Sequence, residues 1–158
     1  MSEDEKIKVI ATNRKARHEY HIHDTLEAGL VLTGTEIKSI RAGHVSIQEA
    51  FVIHRDGEMW VINMYIAPYD PAHHANHEPR RPRKLLMHKH EIARWADRAQ
   101  QRGYTIIPLR LYLRRGRAKL EIALARGKKL HDKRAALAER DAQRRISQAL
   151  SERRKGRR

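Results

Sequence analysis

The sequence predicts a mainly β domain with flanking helices over residues 1–126, followed by a basic tail over residues 127–158. Three observations carry this. Residues 49–65 place EAFVIHR and EMWVINMY on either side of Asp56-Gly57, a pair suited to the positive φ angles of a type I′ hairpin turn. Residues 105–124 alternate apolar and polar residues on both sides of a glycine-bearing turn at Arg115-Gly116-Arg117. Charge then changes abruptly: residues 126–158 hold 13 Lys/Arg against 4 Asp/Glu, whereas the rest of the chain holds 21 against 15.

A chain of 158 residues fits one domain with an appendage. Its net charge of +15, concentrated in the tail, is the footprint of a polyanion binder, because each cation that neutralises a phosphate releases condensed counterion. A membrane surface suits it less, since the tail lacks the Trp/Phe/Leu face that an interfacial helix buries. There is no cysteine, which excludes disulfide frameworks and thiolate metal sites. The opening MSEDEKIKVIATNRK has no apolar stretch like that of a signal peptide, and no window approaches the ~20 apolar residues of a membrane span. The expected location is the cytoplasm.

Taken in order, residues 1–12 form a short, mixed-charge lead-in expected to be mobile, apart from the apolar Ile7, Val9 and Ile10, which dock on the domain edge. NRKARHEYHI at 13–22 is a basic patch with His18, Tyr20 and His21, running into a strand-like segment through Leu32 with a bend or bulge at Gly29, which fits one long bent strand or two short ones. Thr33-Gly34-Thr35-Glu36 has capping-box spacing, so a short helix begins there and stops at Gly43. In the first hairpin, Arg55 falls opposite Glu58 and Ile53 opposite Trp60. Residues 67–84 carry four prolines and three histidines without periodicity and read as a loop. Leu86, Ile92, Trp95, Ala96 and Ala99 recur at helical spacing up to Gly103. The second hairpin is expected to be apolar on one face and charged on the other. From Leu130 onward the residues are strong helix formers without a continuous apolar stripe, which predicts a tail disordered when free and helical when laid along a polyanion.

Sites of chemistry are sparse. His73, His74 and His77 lie in the proline-rich loop with no further carboxylate or thiolate at motif spacing, so that loop reads as solvated or phosphate-facing rather than metal-binding. His90-Glu91 begins like a zincin helix, but Arg94 stands where the second histidine belongs. No nucleophile elbow, phosphate-cradling glycine loop or dinucleotide fingerprint occurs. No enzyme activity, metal or cofactor is expected. The patch at 13–21 suits base stacking and phosphate contact, and equally suits an exposed strand face. The helix surface with Glu36, Lys38, Ser39 and Arg41 reads either as RNA-facing or as plainly solvated.

The blocks NRKARHEY (13–20), LEAGLVLTGTEIKSIRAG (26–43), RKLL (83–86), GYTIIPLRLY (103–112) and GKKLHDKR (127–134), in this order and spacing, resemble the SmpB family, the tmRNA-binding proteins of bacterial trans-translation. The resemblance implies a small antiparallel OB-like β-barrel and a non-enzymatic role, binding the tRNA-like domain of tmRNA to rescue stalled ribosomes. It implies an RNA face of Asn13, Lys15, His18, Tyr20, Glu27, Lys38, Arg41, Arg83, Lys84, Leu86 and His88. It further implies that the tail, through Gly127, Lys128, Lys129, His131, Asp132, Lys133 and Arg134, enters the decoding centre and the empty mRNA channel. The implied partners are tmRNA, the ribosome with its 16S rRNA and the elongation factor that delivers the RNA; the protein is expected to act as a monomer. The competing reading is a general RNA-binding or RNA-chaperone OB-like protein with a non-specific tail, with a metal-dependent nuclease well behind.

Overall fold

The chain runs β1 (Ile7–Thr12), α1 (Ala16–Glu19), β2 (Tyr20–Leu30), α2 (Gly34–Arg41), β3 (Val45–Ser46), β4 (Phe51–Arg55), β5 (Glu58–Ile62), β6 (Tyr65–Ile66), β7 (Arg83–Leu86), α3 (Lys89–Ala99), β8 (Tyr104–Arg114) and β9 (Arg117–Gly127). These elements belong to a computed structural model that describes residues 6–69, 76–101 and 103–128 with positions 144, 145 and 148. Most of the tail, including residues 129–134, lies outside the described residues, as do His73 and His74. The chain divides into two units, Met1–Arg126 and Gly127–Arg158, and these strands and helices make up the first.

Both predicted hairpins form, the first in the expected register. Asp56 and Gly57 take φ of 54° and 76°, the pair of positive angles that a type I′ turn requires, so Arg55 faces Glu58 and Ile53 faces Trp60. Arg115 and Gly116 repeat the geometry with φ of 53° and 76° between β8 and β9, which pair from Tyr104↔Arg126 to Arg114↔Arg117. The other edge of β8 takes β4 at Val52↔Ile106 and β1 from Thr12↔Arg110 to Ile7↔Arg114. The strand order is β1-β8-β4-β5-β7-β2-β9, and the β8–β9 pairing closes β8-β4-β5-β7-β2-β9 on itself. Closure satisfies backbone groups that an open sheet would leave on its edges. Inside lie Ile40, Met59, Val61, Leu85, Trp95, Leu111, Leu120 and Ile122, each at or below 1% exposure.

Of the two readings around Gly29 the single long strand holds: β2 continues through it, and its lack of Cβ permits a close approach, since a Cβ there would stand 3.1 Å from Leu86 Cβ. Three expectations change. The lead-in expected to be mobile is a strand from Ile7: Ile7–Thr12 pairs with β8. Leu86 ends a strand, and the helix begins only at Lys89, because β7 is needed to bridge β5 and β2. The β8–β9 hairpin buries part of both faces: Ile107, Leu109, Ala123 and Ala125 form a second apolar cluster with Ala16, against which Tyr20 and Ile22 pack. Among the described residues, no helix is long and apolar enough to cross a membrane.

Candidate nucleic-acid interface

A buried ion-pair network sets the position of β7. Strand alternation turns Arg83 and Leu85 inward and leaves Lys84 and Leu86 outward. Arg83 Nε donates to Glu36 Oε2 at 2.5 Å, Nη1 to Met64 O at 2.6 Å and Nη2 to Pro79 O at 3.0 Å. Glu36 also accepts from Arg81 Nη2 at 2.6 Å and Nε at 2.9 Å, and from the Thr33 amide at 2.9 Å. With Thr33 Oγ1 accepting from the Glu36 amide, the predicted capping box is complete, and it doubles as an anchor for the loop before β7. Burial by itself would raise the Glu36 pKa; hydrogen bonds from Arg81, the Thr33 amide and Arg83 outweigh it and hold the carboxyl below its ordinary value. Burial draws Arg83 below the ordinary arginine value, and Glu36 opposes that shift. His77 adds a second tie, with Nδ1 at 2.9 Å from Thr35 Oγ1 and Nε2 at 2.9 Å from Ile66 O.

The outward side of β7 opens onto a hollow of about 350 Å³ lined by Glu27, Gly29, Leu86, Met87, His88, Glu91 and Lys119. Gly29 faces Leu86 in the β2–β7 ladder, which brings Glu27 near Leu86. His88 precedes α3, where its amide donates to Glu91 Oε1 at 2.9 Å, and its ring stacks on His90 with centroids 5.6 Å apart. Glu27 also lines an adjoining hollow of about 480 Å³ with Arg114, Arg115, Arg117 and Lys119. The Glu27 carboxylate accepts from the Tyr112 hydroxyl and from Arg114 Nε at 3.1 Å. A single acid is thus held amid four cations, beside an apolar Leu86 that is 54% exposed. Such a surface attracts phosphates and still offers a directional acceptor.

The structure separates the remaining predicted residues. Asn13 is buried: its Nδ2 donates to Pro108 O at 3.0 Å and its amide to Leu109 O at 2.7 Å. It thereby pins the bulge between Pro108 and Arg110, where proline supplies no ladder donor. Arg83 is wholly buried, so neither its guanidinium nor the Asn13 amide group is presented at the surface as the resemblance implies. Lys15 and His18 are exposed at α1, and Tyr20 is half-buried on the second apolar cluster. Beside them, Asn13, Arg14, Arg17 and Arg110 line another hollow, of about 340 Å³. Lys38 and Arg41 are exposed on α2, with Lys38 Nζ 5.3 Å from the Tyr69 ring centre. Lys84 pairs with Glu58 at 2.9 Å. Gly127 ends β9 and Lys128 is half-buried; the expectations for Lys129, His131, Asp132, Lys133 and Arg134 fall outside the described residues.

Sequence reasoning passed over Tyr112, Arg114, Arg115, Arg117 and Lys119. Their alternation with Leu111, Leu113, Ala118 and Leu120 marks an outward face, but nothing local shows that Glu27 joins it.

Comparison with known proteins agrees with this arrangement. The family model described as SmpB protein matches residues 10–152. An SsrA-binding protein of Acidothermus cellulolyticus is 56% identical over 158 residues, covering 100% of this chain and 99% of the relative. One of Roseiflexus castenholzii is 57% identical over 147 residues, covering 92% and 93%. A solved chain described by the words "tmRNA-SmpB: a journey to the center of the bacterial ribosome" superposes with a TM-score of 0.65 at 50% identity, over 77% of this chain and 86% of that one. With the family model spanning nearly the whole sequence and relatives more than half identical over nearly their whole length, the chain belongs to the SmpB family.

Proposed function

We propose that the protein binds the tRNA-like domain of tmRNA and, with it, rescues stalled ribosomes by trans-translation in the cytoplasm. The observation that carries this reading is the Glu27 surface: an oriented carboxylate, an exposed Leu86 and the cations Arg114, Arg115, Arg117 and Lys119 on one side of a closed β fold. Phosphate-binding cations supply affinity for any RNA, and a fixed acceptor discriminates among RNA surfaces by the donors they present. That division fits a partner of defined shape such as the tRNA-like domain that the resemblance implies. The role is one of binding rather than catalysis. The tail from Gly127 onward, with Lys128, Lys129, His131, Lys133 and Arg134 as its leading cations and ring, reads the decoding centre and the empty mRNA channel, ordering as a helix on rRNA. Delivery by an elongation factor completes the reading.

Deletion of residues 129–158 tests it while leaving β9 whole. The truncated protein is expected to bind tmRNA nearly as well as the full chain and to lose peptide tagging on stalled ribosomes. Intact tagging, or a large fall in tmRNA affinity, overturns the assignment of roles. Equal affinity of the full chain for tmRNA and bulk tRNA at one salt concentration favours a general RNA-binding protein instead.

A further inference from the structure

Resting on the tmRNA-binding reading of the Glu27 surface, we infer that Tyr112 is the positioning residue of that site: its hydroxyl fixes one oxygen of Glu27 so that the other faces an RNA hydrogen-bond donor. Glu27 stands in β2, 85 positions from Tyr112 in β8, and its side chain is 35% exposed. A carboxylate so placed among Arg114, Arg115, Arg117 and Lys119 has several competing cations, and an exposed ion pair with any of them holds geometry weakly. Tyr112 is different in kind. Only 3% exposed, it has its ring flanked by the guanidinium carbons of Arg110 at 5.0 Å and Arg114 at 5.8 Å, a cation–π arrangement that resists rotation. Arg110 is itself held by Glu121 at 2.9 Å. The hydroxyl is therefore carried on a ring with little freedom, and it has one proton to donate.

Tyr112 Oη, Arg114 Nε and Arg114 Nη2 all meet the same oxygen of Glu27, Oε2. In the proposed site the other oxygen, Oε1, accepts from the RNA. An acceptor oxygen in that position selects an N–H on a base edge or a ribose 2′-hydroxyl and repels a phosphate. The surrounding cations hold the backbone, and Tyr112 with Arg114 decides where the acceptor points. Burial, together with the bond to Glu27, pushes the Tyr112 phenol up to about 12, so it remains a donor throughout the physiological range.

Tyr112→Phe removes the hydroxyl and keeps the ring. Its tmRNA affinity is expected to fall roughly tenfold, with thermal unfolding close to that of the parent and the slope of log affinity against log salt unchanged, because no phosphate contact is lost. In a Glu27→Ala background the same substitution is expected to cost nothing further. Binding within twofold of the parent, a reduced salt slope, or a Tyr112→Phe effect that persists in the Glu27→Ala background overturns the inference. Should Tyr112→Phe fail to fold, phenol titration of Glu27→Gln followed by NMR takes its place: the Tyr112 ionisation is expected to move down from about 12 toward 10, and an unmoved titration overturns the pairing. The two readings fail separately. If Glu27→Ala binds tmRNA like the parent, the site assignment itself falls; if Glu27→Ala binds weakly and Tyr112→Phe normally, only the positioning role falls.

Discussion

Arg83 Nε reaches Glu36 Oε2 at 2.5 Å with neither side chain exposed, joining the first turn of α2 to a strand 47 residues later. A pair so deeply buried does not by itself gain much over apolar packing, since desolvation consumes most of the attraction. Its value lies in register. Arg83 also holds the carbonyls of Met64 and Pro79, and in doing so it turns Lys84 and Leu86 outward to the proposed RNA face.

Arg83→Met is therefore expected to cost about 3–5 kcal/mol of stability, because it leaves a buried carboxylate with one cation fewer. Urea unfolding measures that loss. Under conditions where the variant remains folded, the salt dependence of RNA binding should keep its slope, since the guanidinium lies inside the protein. Arg117→Met, by contrast, should reduce the slope by roughly 0.9 if Arg117 meets a phosphate. A flatter slope for Arg83→Met would contradict its interior role.

The Glu36 network also predicts an acid limit. Its carboxyl is held below the ordinary value of 4.5 in the folded protein, so the unfolded chain binds the proton more readily. The contribution to stability is then complete above pH 4.5 and declines as pH falls through the lower folded value. Glu36→Gln should flatten this part of the stability profile, measured by urea midpoints at successive pH values. A parent and variant with parallel profiles below pH 4.5 would refute the linkage.

Gly29 is closely bounded on one side. A Cβ there would stand 3.1 Å from Leu86 Cβ and 3.3 Å from its Cδ1. The Leu86 Cβ is bonded directly to the β7 backbone and cannot swing aside as a side-chain tip can. Gly29→Ala should cost about 1 kcal/mol and weaken tmRNA binding by displacing Leu86, read by thermal unfolding and by affinity at fixed salt. A more stable variant with unchanged affinity would show that β2 and β7 have room to separate.

Much of the scaffold was legible in the chain because its signals are local. Asp56-Gly57 and Arg115-Gly116 specify their turns through backbone dihedrals, and Thr33 with Glu36 closes a box over three residues. Ordered blocks such as NRKARHEY and LEAGLVLTGTEIKSIRAG indicated the family without reference to any contact. Residue type was a poorer guide to role. Asn13 and Arg83 resemble surface RNA ligands, yet both are buried and bonded to the backbone or to Glu36. RKLL carries no period long enough to distinguish a strand from the start of a helix, and its place between β5 and β2 settled it.

What the sequence by itself determined is where the chain turns, which helix is capped, where the positive charge gathers and which family the protein joins. Only the tertiary structure decided which polar side chains turn inward and which partners Glu27 acquires. The physical reason is range. A turn or a cap is satisfied by atoms within a few residues, whereas Glu27 meets Tyr112 across 85 positions, an encounter that depends on the register of every strand in the ring.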